Sequence, residues 1–355
     1  MVSPFTGVVG HQPLLALLEV EAAGPAQAYF FVGPASVGKA TVARRFAALL
    51  LCPGVDAGCV RRVLGGTHPD LSVVEPDGRT TLTVDQARAT VARAVLAPIE
   101  GERKVVLFEE AGMMTEEAAS ALLKTLEEPS PSTIFILVSE AEDDLPPTIA
   151  SRCRSVHFGR VTDEEVVAAL EERGVDPEQA RRAAAASGGR PGLALMLATQ
   201  SEVAAYRRAW LSVPERVGPE PGRAFLLAEE LVAATQPLLD ALDERHRMER
   251  DQVEAESQMG RAVKERHERE RRRAAGALYT TGLEILASWY RDSAAAQLGA
   301  PVRNRDIPVA ALTSLTPAAA VAAAGRVLEA VAALEANQRP ELAFAALFND
   351  LGTSA

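Results

Sequence analysis

The sequence predicts an α/β domain on a largely parallel sheet, followed by a small helical lid and an all-helical C-terminal region. Three observations lead there. Over the first 160 of the 355 residues, short apolar runs alternate with amphipathic segments, the pattern of strand–helix–strand units. One run, AYFFVG at 28–33, ends in the glycine-rich stretch GPASVGKAT and leads directly into helix-forming sequence. After Phe158 the strand signal stops.

Taken in chain order, residues 28–33 read as a buried strand and residues 41–52 as the helix that follows its loop. LSVVEP reads as a second strand, 84–97 as a helix led by Thr83 or Asp85, and KVVLFEEA at 104–111 as a third strand. TEEAASALLKTLEEP (115–129) reads as a helix and TIFILVS (133–139) as a fourth strand. Each apolar run is short and unalternating, which suits a strand buried on both faces. Beyond them, TDEEVVAALEERG starts at a Thr cap and stops at Gly174, DPEQARRAAAASGG carries Pro177 in its first turn, and RPGLALMLATQ restarts behind Pro191. The expected organisation is an α/β domain at 1–160, a helical lid at 161–201 and a helical region at 202–355. Within the last, residues 243–273 are densely charged with mixed signs, which predicts a solvated helix or a partly disordered insertion. The Arg271, Arg272, Arg273 cluster keeps a nucleic-acid-binding arm open as the alternative.

A net charge of −11 argues against a protein that holds nucleic acid by its overall field. Three cysteines cannot build a disulfide framework, and MVSPFTGVVG lacks the basic-then-apolar layout of a signal peptide, so a reducing cytoplasm is the expected location. The Ala/Thr-rich stretch from Ile307, with Pro308 and Pro317, is expected to be soluble helix rather than membrane span.

Gly33, Gly38 and Lys39 fit the phosphate-loop pattern G-x-x-x-x-G-K-[ST]. A strand before the loop and a helix after it would aim backbone N–H groups and a helix N-terminus at phosphate oxygens. The pattern breaks at Ala40, where a hydroxyl would hold magnesium. Thr41 lies about 100° further round the helix, too far to substitute, and is expected to be buried or bonded within the helix. At the end of the third strand, an active site of this kind places Asp for magnesium and Glu for water, whereas this chain has Glu109 and Glu110. That pair reads equally as a degenerate site or as two exposed carboxylates opening a helix. Weak nucleotide binding through Lys39 and the loop is allowed, but little or no intrinsic ATPase is expected. Cys52, Cys59 and His68 offer at most three ligands to a tetrahedral ion, so no metal is expected, and Cys153 is expected to be buried rather than reactive.

EGERKVVLFEEA, ALLKTLEEP and above all Ser151-Arg152-Cys153 closely resemble the clamp-loader branch of AAA+ proteins. GVVGHQPLLALLE, HPDLSVVEP, SGGRPGLAL and NQRPELAFAALF agree with it, so the resemblance spans most of the chain outside the charged segment. It implies an AAA+ domain, a lid and a collar that joins a pentamer. It also implies that Arg152 reaches in trans to the γ-phosphate of ATP on a neighbouring subunit, where ATP and magnesium would sit. Arg190 falls at the second-sensor position, with a plain helix-start role as the alternative. A degenerate form of the family's four-cysteine zinc module would explain Cys52 and Cys59. The implied partners are tau/gamma-type and delta-like subunits, a sliding clamp and primer–template DNA. The broken loop favours a stator that lends Arg152 over an ATP-hydrolysing motor subunit or a binding module with a vestigial loop.

Overall fold

A computed structural model of the chain describes residues 4–34, 36–52, 54, 56–74, 81–240, 243–244, 247, 260–335 and 338–353. The chain forms two compact units, Met1–Gly174 with Ser187–Ala194, and Val175–Ala186 with Leu195–Ala355.

The first unit is built on a five-stranded parallel sheet: β1 (Ala28–Val32), β2 (Leu71–Val74), β3 (Lys104–Phe108), β4 (Thr133–Ser139) and β5 (Arg154–His157), in the order β2-β3-β4-β1-β5. The unalternating runs are buried throughout in β1, β3 and β4, as parallel strands covered on both faces require. Successive side chains feed two cores. Tyr29, Phe31, Leu107 and Ile136 face one side, where α1 (Gln12–Glu21), α2 (Lys39–Leu51) and α3 (Ala57–Leu64) contribute Leu18, Phe46 and Val63. Phe30, Phe108, Phe135 and Leu137 face the other, where α4 (Val84–Ala94) and α5 (Glu116–Glu127) contribute Ala87 and Leu122. β1 is hydrogen-bonded between β4 and β5, and the loop leaving it opens at the carboxyl edge of the sheet, where ligands of such folds collect.

Thr83 starts α4 through a capping box with Gln86, and the Thr115 hydroxyl accepts from Ala118 N–H to start α5. α4 ends at Ala94, short of the expected 97. Among the elements that were not anticipated are β5 and α3. β5 is an edge strand in which Val156 alone is buried, so its four residues carry almost no apolar signal. α3 forms because the Asp56 carboxylate caps it by accepting from Cys59 N–H.

That helix folds Cys59 back onto Cys52, and the two are joined in a disulfide within the first core. This corrects the expectation of unpaired thiols in a remnant zinc module. His68 is buried, with Nδ1 accepting from Asp70 N–H and Nε2 3.7 Å from Glu100.

The helices expected to form the lid are α7 (Asp163–Glu171), in the first unit, α8 (Pro177–Ser187), almost wholly in the second, and α9 (Pro191–Thr199), which begins in the first and ends in the second. They follow α6 (Pro147–Ala150) and β5. The remainder of the second unit packs helices Ser201–Leu211, Pro221–Ala233, Gly260–Gln297, Pro317–Glu335 and Pro340–Thr353 around Trp210, Trp289, Phe344 and Phe348. Of the charged segment, residues 245–246 and 248–259 lie outside the described residues, and Gly260 opens a 38-residue helix whose later part enters this core through Leu283, Leu286 and Trp289. Pro317–Leu334 is long and apolar enough to cross a membrane by length and composition, and it buries Ala323 and Val327 in the same core.

Asp70 ties β2 to the approach of β3. Fully buried, its carboxylate accepts from the N–H groups of Ile99, Glu100 and Gly101 at 2.5, 2.8 and 3.0 Å. Burial pushes its pKa up, but the three amides outweigh it and hold the carboxyl below the usual aspartate range. Asp70→Ala should therefore destabilise the protein by about 2–3 kcal/mol in urea unfolding at pH 7, since three N–H groups lose their acceptor. A group with a depressed folded pKa contributes stability above its unfolded pKa, about 4, and loses it as pH falls through the folded value. The gap between wild type and Asp70→Asn should accordingly persist at neutral pH and narrow below about pH 4; a gap that widens there would contradict this assignment.

Candidate functional site

The loop after β1 places backbone demands on both of its glycines. Gly33 adopts φ +150° so close to β5 that a Cβ would lie 2.2 Å from the Phe158 carbonyl oxygen, and Gly38, at φ +105°, turns the chain into α2. Each glycine answers a backbone demand no other residue meets without strain. Phe158 N–H donates to Val32 O at 2.8 Å, which fixes Gly33 against the edge strand. His11, on the entry to α1, donates from Nε2 to Val37 O at 3.1 Å and packs edge-on against Phe158.

Lys39 is buried, and its ammonium donates to Gly33 O at 2.6 Å and Pro34 O at 2.7 Å. The lysine thus cross-links the carbonyls of its own loop. Burial pulls its pKa below the ordinary lysine value, against the opposing pull of Glu140 and Asp144. Those two carboxylates belong to the turn after β4, where Asp144 accepts from the Ser139 hydroxyl and from the N–H groups of Glu140 and Ala141. Ser139, the polar end of an otherwise apolar strand, pairs in register with Val32 and so stands beside the start of the loop.

Glu109 is also engaged. Arg44, five residues along α2 from Lys39, donates to both its oxygens through Nε and Nη2, with Nη2 2.8 Å from Oε2, and its third nitrogen, Nη1, reaches Leu64 O at 3.2 Å. Glu110 precedes a short 3-10 turn, Ala111–Met113, and its carbonyl accepts from Met113 N–H. Thr41 is exposed, which corrects the expectation of a buried or helix-bonded threonine. Ala40 supplies no hydroxyl, Thr41 faces solvent and Glu109 is held by a guanidinium, so these residues do not fit magnesium, and the lysine a phosphate needs is already satisfied. Among the described residues there is no cluster of three or more His, Cys, Asp or Glu able to hold a metal ion.

Arg190 is buried at the start of α9; its Nε donates to Ser187 O at 2.9 Å and its carbonyl accepts from Ala194 N–H. Those contacts tie it to the turn that precedes α9. Arg152 lies on the turn between α6 and β5, away from the core: its neighbours Ile149 and Cys153 pack inward with Leu126, while the guanidinium donates to Thr148 O at 2.7 Å and to Glu127 at 2.5 Å. Burial pushes the Cys153 thiol up to about 12, which keeps it protonated and unreactive.

Sequence reasoning missed Arg44, Ser139 and Glu127. A polar residue closing an apolar strand was a usable signal for Ser139. Arg44 and Glu127 had none, because their partners lie 65 and 25 residues away.

Because its ammonium is an internal cross-link, Lys39 should matter to folding without any ligand. Lys39→Met should lower the stability of the isolated protein by about 1–3 kcal/mol in urea unfolding, as expected for charge-assisted bonds to backbone carbonyls. A lysine waiting for phosphate in solvent would show no loss.

Comparison with known proteins bears on the first unit above all. Residues 16–162 match the family described as DNA polymerase III, delta subunit. DNA polymerase III subunit delta' of Pseudomonas aeruginosa is 44% identical over 136 residues, 36% of this chain and 42% of that protein. Subunit delta' of Bacillus subtilis is 30% identical over 209 residues, 57% of this chain and 63% of that protein. DNA polymerase III subunit tau of Bacillus subtilis is 34% identical over 159 residues, 43% of this chain and 28% of that protein. The chain thus spans 42% and 63% of the lengths of these two delta' relatives. The parallel sheet, the glycine loop leaving β1 and these matches agree: over residues 16–162 the chain is similar to the DNA polymerase III delta subunit family and to the delta' subunits of these two bacteria.

Proposed function

We propose that the chain is a clamp-loader subunit of a bacterial DNA polymerase III holoenzyme, acting in the cytoplasm as a stator that does not turn over ATP itself. It joins tau/gamma-type and delta-like subunits through its helical region, lends Arg152 to the ATP site of a neighbour, and helps place a sliding clamp on primer–template DNA. The observation that carries this reading is the contrast between two cations: Lys39 is buried with its ammonium on the carbonyls of its own loop, while Arg152, bonded to Thr148 O and Glu127, stands exposed at the surface on a packed turn. A nucleotide entering the loop would have to displace the Lys39 bonds and accept the nearby Glu140 and Asp144 charges, so binding to this chain is weak or absent. ATP and magnesium belong to the neighbouring subunits. An arginine reaching such a site stabilises charge spread over phosphoryl oxygens with its planar fork.

Reconstitution with purified motor and delta-like subunits tests this. Arg152→Ala should assemble normally and lower clamp- and DNA-stimulated ATPase, by on the order of a thousandfold at the one dependent site and by less in the whole complex. Unchanged stimulated turnover in a stable Arg152→Ala complex would overturn the assignment. The pure chain should show no steady ATPase; turnover that disappears in Lys39→Ala would contradict the stator reading.

A further inference from the structure

Arg152 does not hang free: Glu127, the last residue of α5, receives its Nη2 at 2.5 Å, and Thr148 O receives its Nη1 at 2.7 Å. We infer that Glu127 is a positioning residue for Arg152, holding the guanidinium against the end of α5 so that its remaining N–H groups face outward toward a neighbour's phosphate. The inference rests on the reading of Arg152 as an arginine that acts in trans.

Three features support it. The turn that carries Arg152 is built without the pair: Arg152 N–H donates to Ile149 O, Cys153 N–H donates to Ala150 O, and Ile149 and Cys153 pack with Leu126. The fold therefore has no need of the Glu127 carboxylate. The pair is also open to water, with side chains 35% and 49% exposed, and a pair so placed contributes little to stability. Finally, two of the five guanidinium N–H groups are committed by these bonds, and a bidentate contact with phosphate needs only two more. A long, flexible side chain pinned at two nitrogens has lost much of its rotamer freedom before any phosphate arrives, so less ordering remains to be done in the transition state.

The side chains alternate to make this possible. Leu126 turns into the core and Glu127 outward; Cys153 turns inward and Arg152 outward. Carboxylate and guanidinium thus meet on the surface, while their chain neighbours Leu126 and Cys153 belong to one core.

The test uses the reconstituted clamp-loader complex with wild-type, Glu127→Ala, Glu127→Gln, Arg152→Ala and doubly substituted versions of this chain, reading kcat and KM for ATP under clamp and DNA stimulation. The Arg152-dependent part of the rate is the difference between the wild-type and Arg152→Ala complexes. Glu127→Ala should reduce it about tenfold through kcat with KM unchanged, a loss of the size a misplaced catalytic group produces. Glu127→Gln keeps the acceptor oxygen and should retain most of that rate. In the Arg152→Ala background, Glu127→Ala should change nothing further. If Arg152→Ala slows the complex but Glu127→Ala does not, or speeds it, the positioning role is overturned and the trans reading stands. An effect of Glu127→Ala that persists in the Arg152→Ala background would also overturn it. If Arg152→Ala itself has no effect, the trans reading falls and the positioning role with it.

Discussion

Lys39 sends its buried ammonium to the carbonyls of Gly33 and Pro34, and the character of the site follows from that commitment. A phosphate loop works because its backbone N–H groups and its lysine converge on an anion. Here the glycine geometry is retained but the cation is turned onto the loop's own oxygens. The bond also explains why the loop keeps its shape without phosphate. Gly33 is pressed against Phe158 from one side and drawn to Lys39 from the other, so strand β1, edge strand β5 and helix α2 are joined at one point.

The same economy governs the other half of the site. Glu109 follows the last residue of β3, and Arg44 from α2 takes both its oxygens. α2 therefore supplies two internal cations, Lys39 to the loop carbonyls and Arg44 to the Glu109 carboxylate after β3. The sheet and its paired cores hold the fold independent of chemistry at the loop. What remains available at the surface is Arg152 on its packed turn.

Much of this was legible in the sequence where the signal is local. The runs 28–33, 104–111 and 133–139 were readable as doubly buried strands because each is short and apolar, and Thr83 or Asp85 announced the start of α4 by capping chemistry, of which Thr83 proves to be the cap. The glycines marked the loop and its turn into α2. β5 was hidden because an edge strand with one buried side chain has no apolar run. The Cys52–Cys59 bond depends on a helix, α3, that composition did not predict. The Arg44–Glu109, Arg152–Glu127 and Asp70 contacts join residues 25 or more positions apart, and neither propensity nor spacing specifies which charges meet across a fold. The loop residues were readable; the direction in which Lys39 points was not.

Hydrogen–deuterium exchange of the isolated protein, with and without millimolar ATP and magnesium, tests most directly whether the loop is held by its own lysine. With Lys39 closing the loop, exchange of the amides from Ser36 to Thr41 should be unchanged by nucleotide, and Lys39→Met should speed it in the absence of any ligand. Strong protection of those amides by ATP in the wild-type chain, with no effect of Lys39→Met when nucleotide is absent, would contradict a self-closed loop and identify a working nucleotide site.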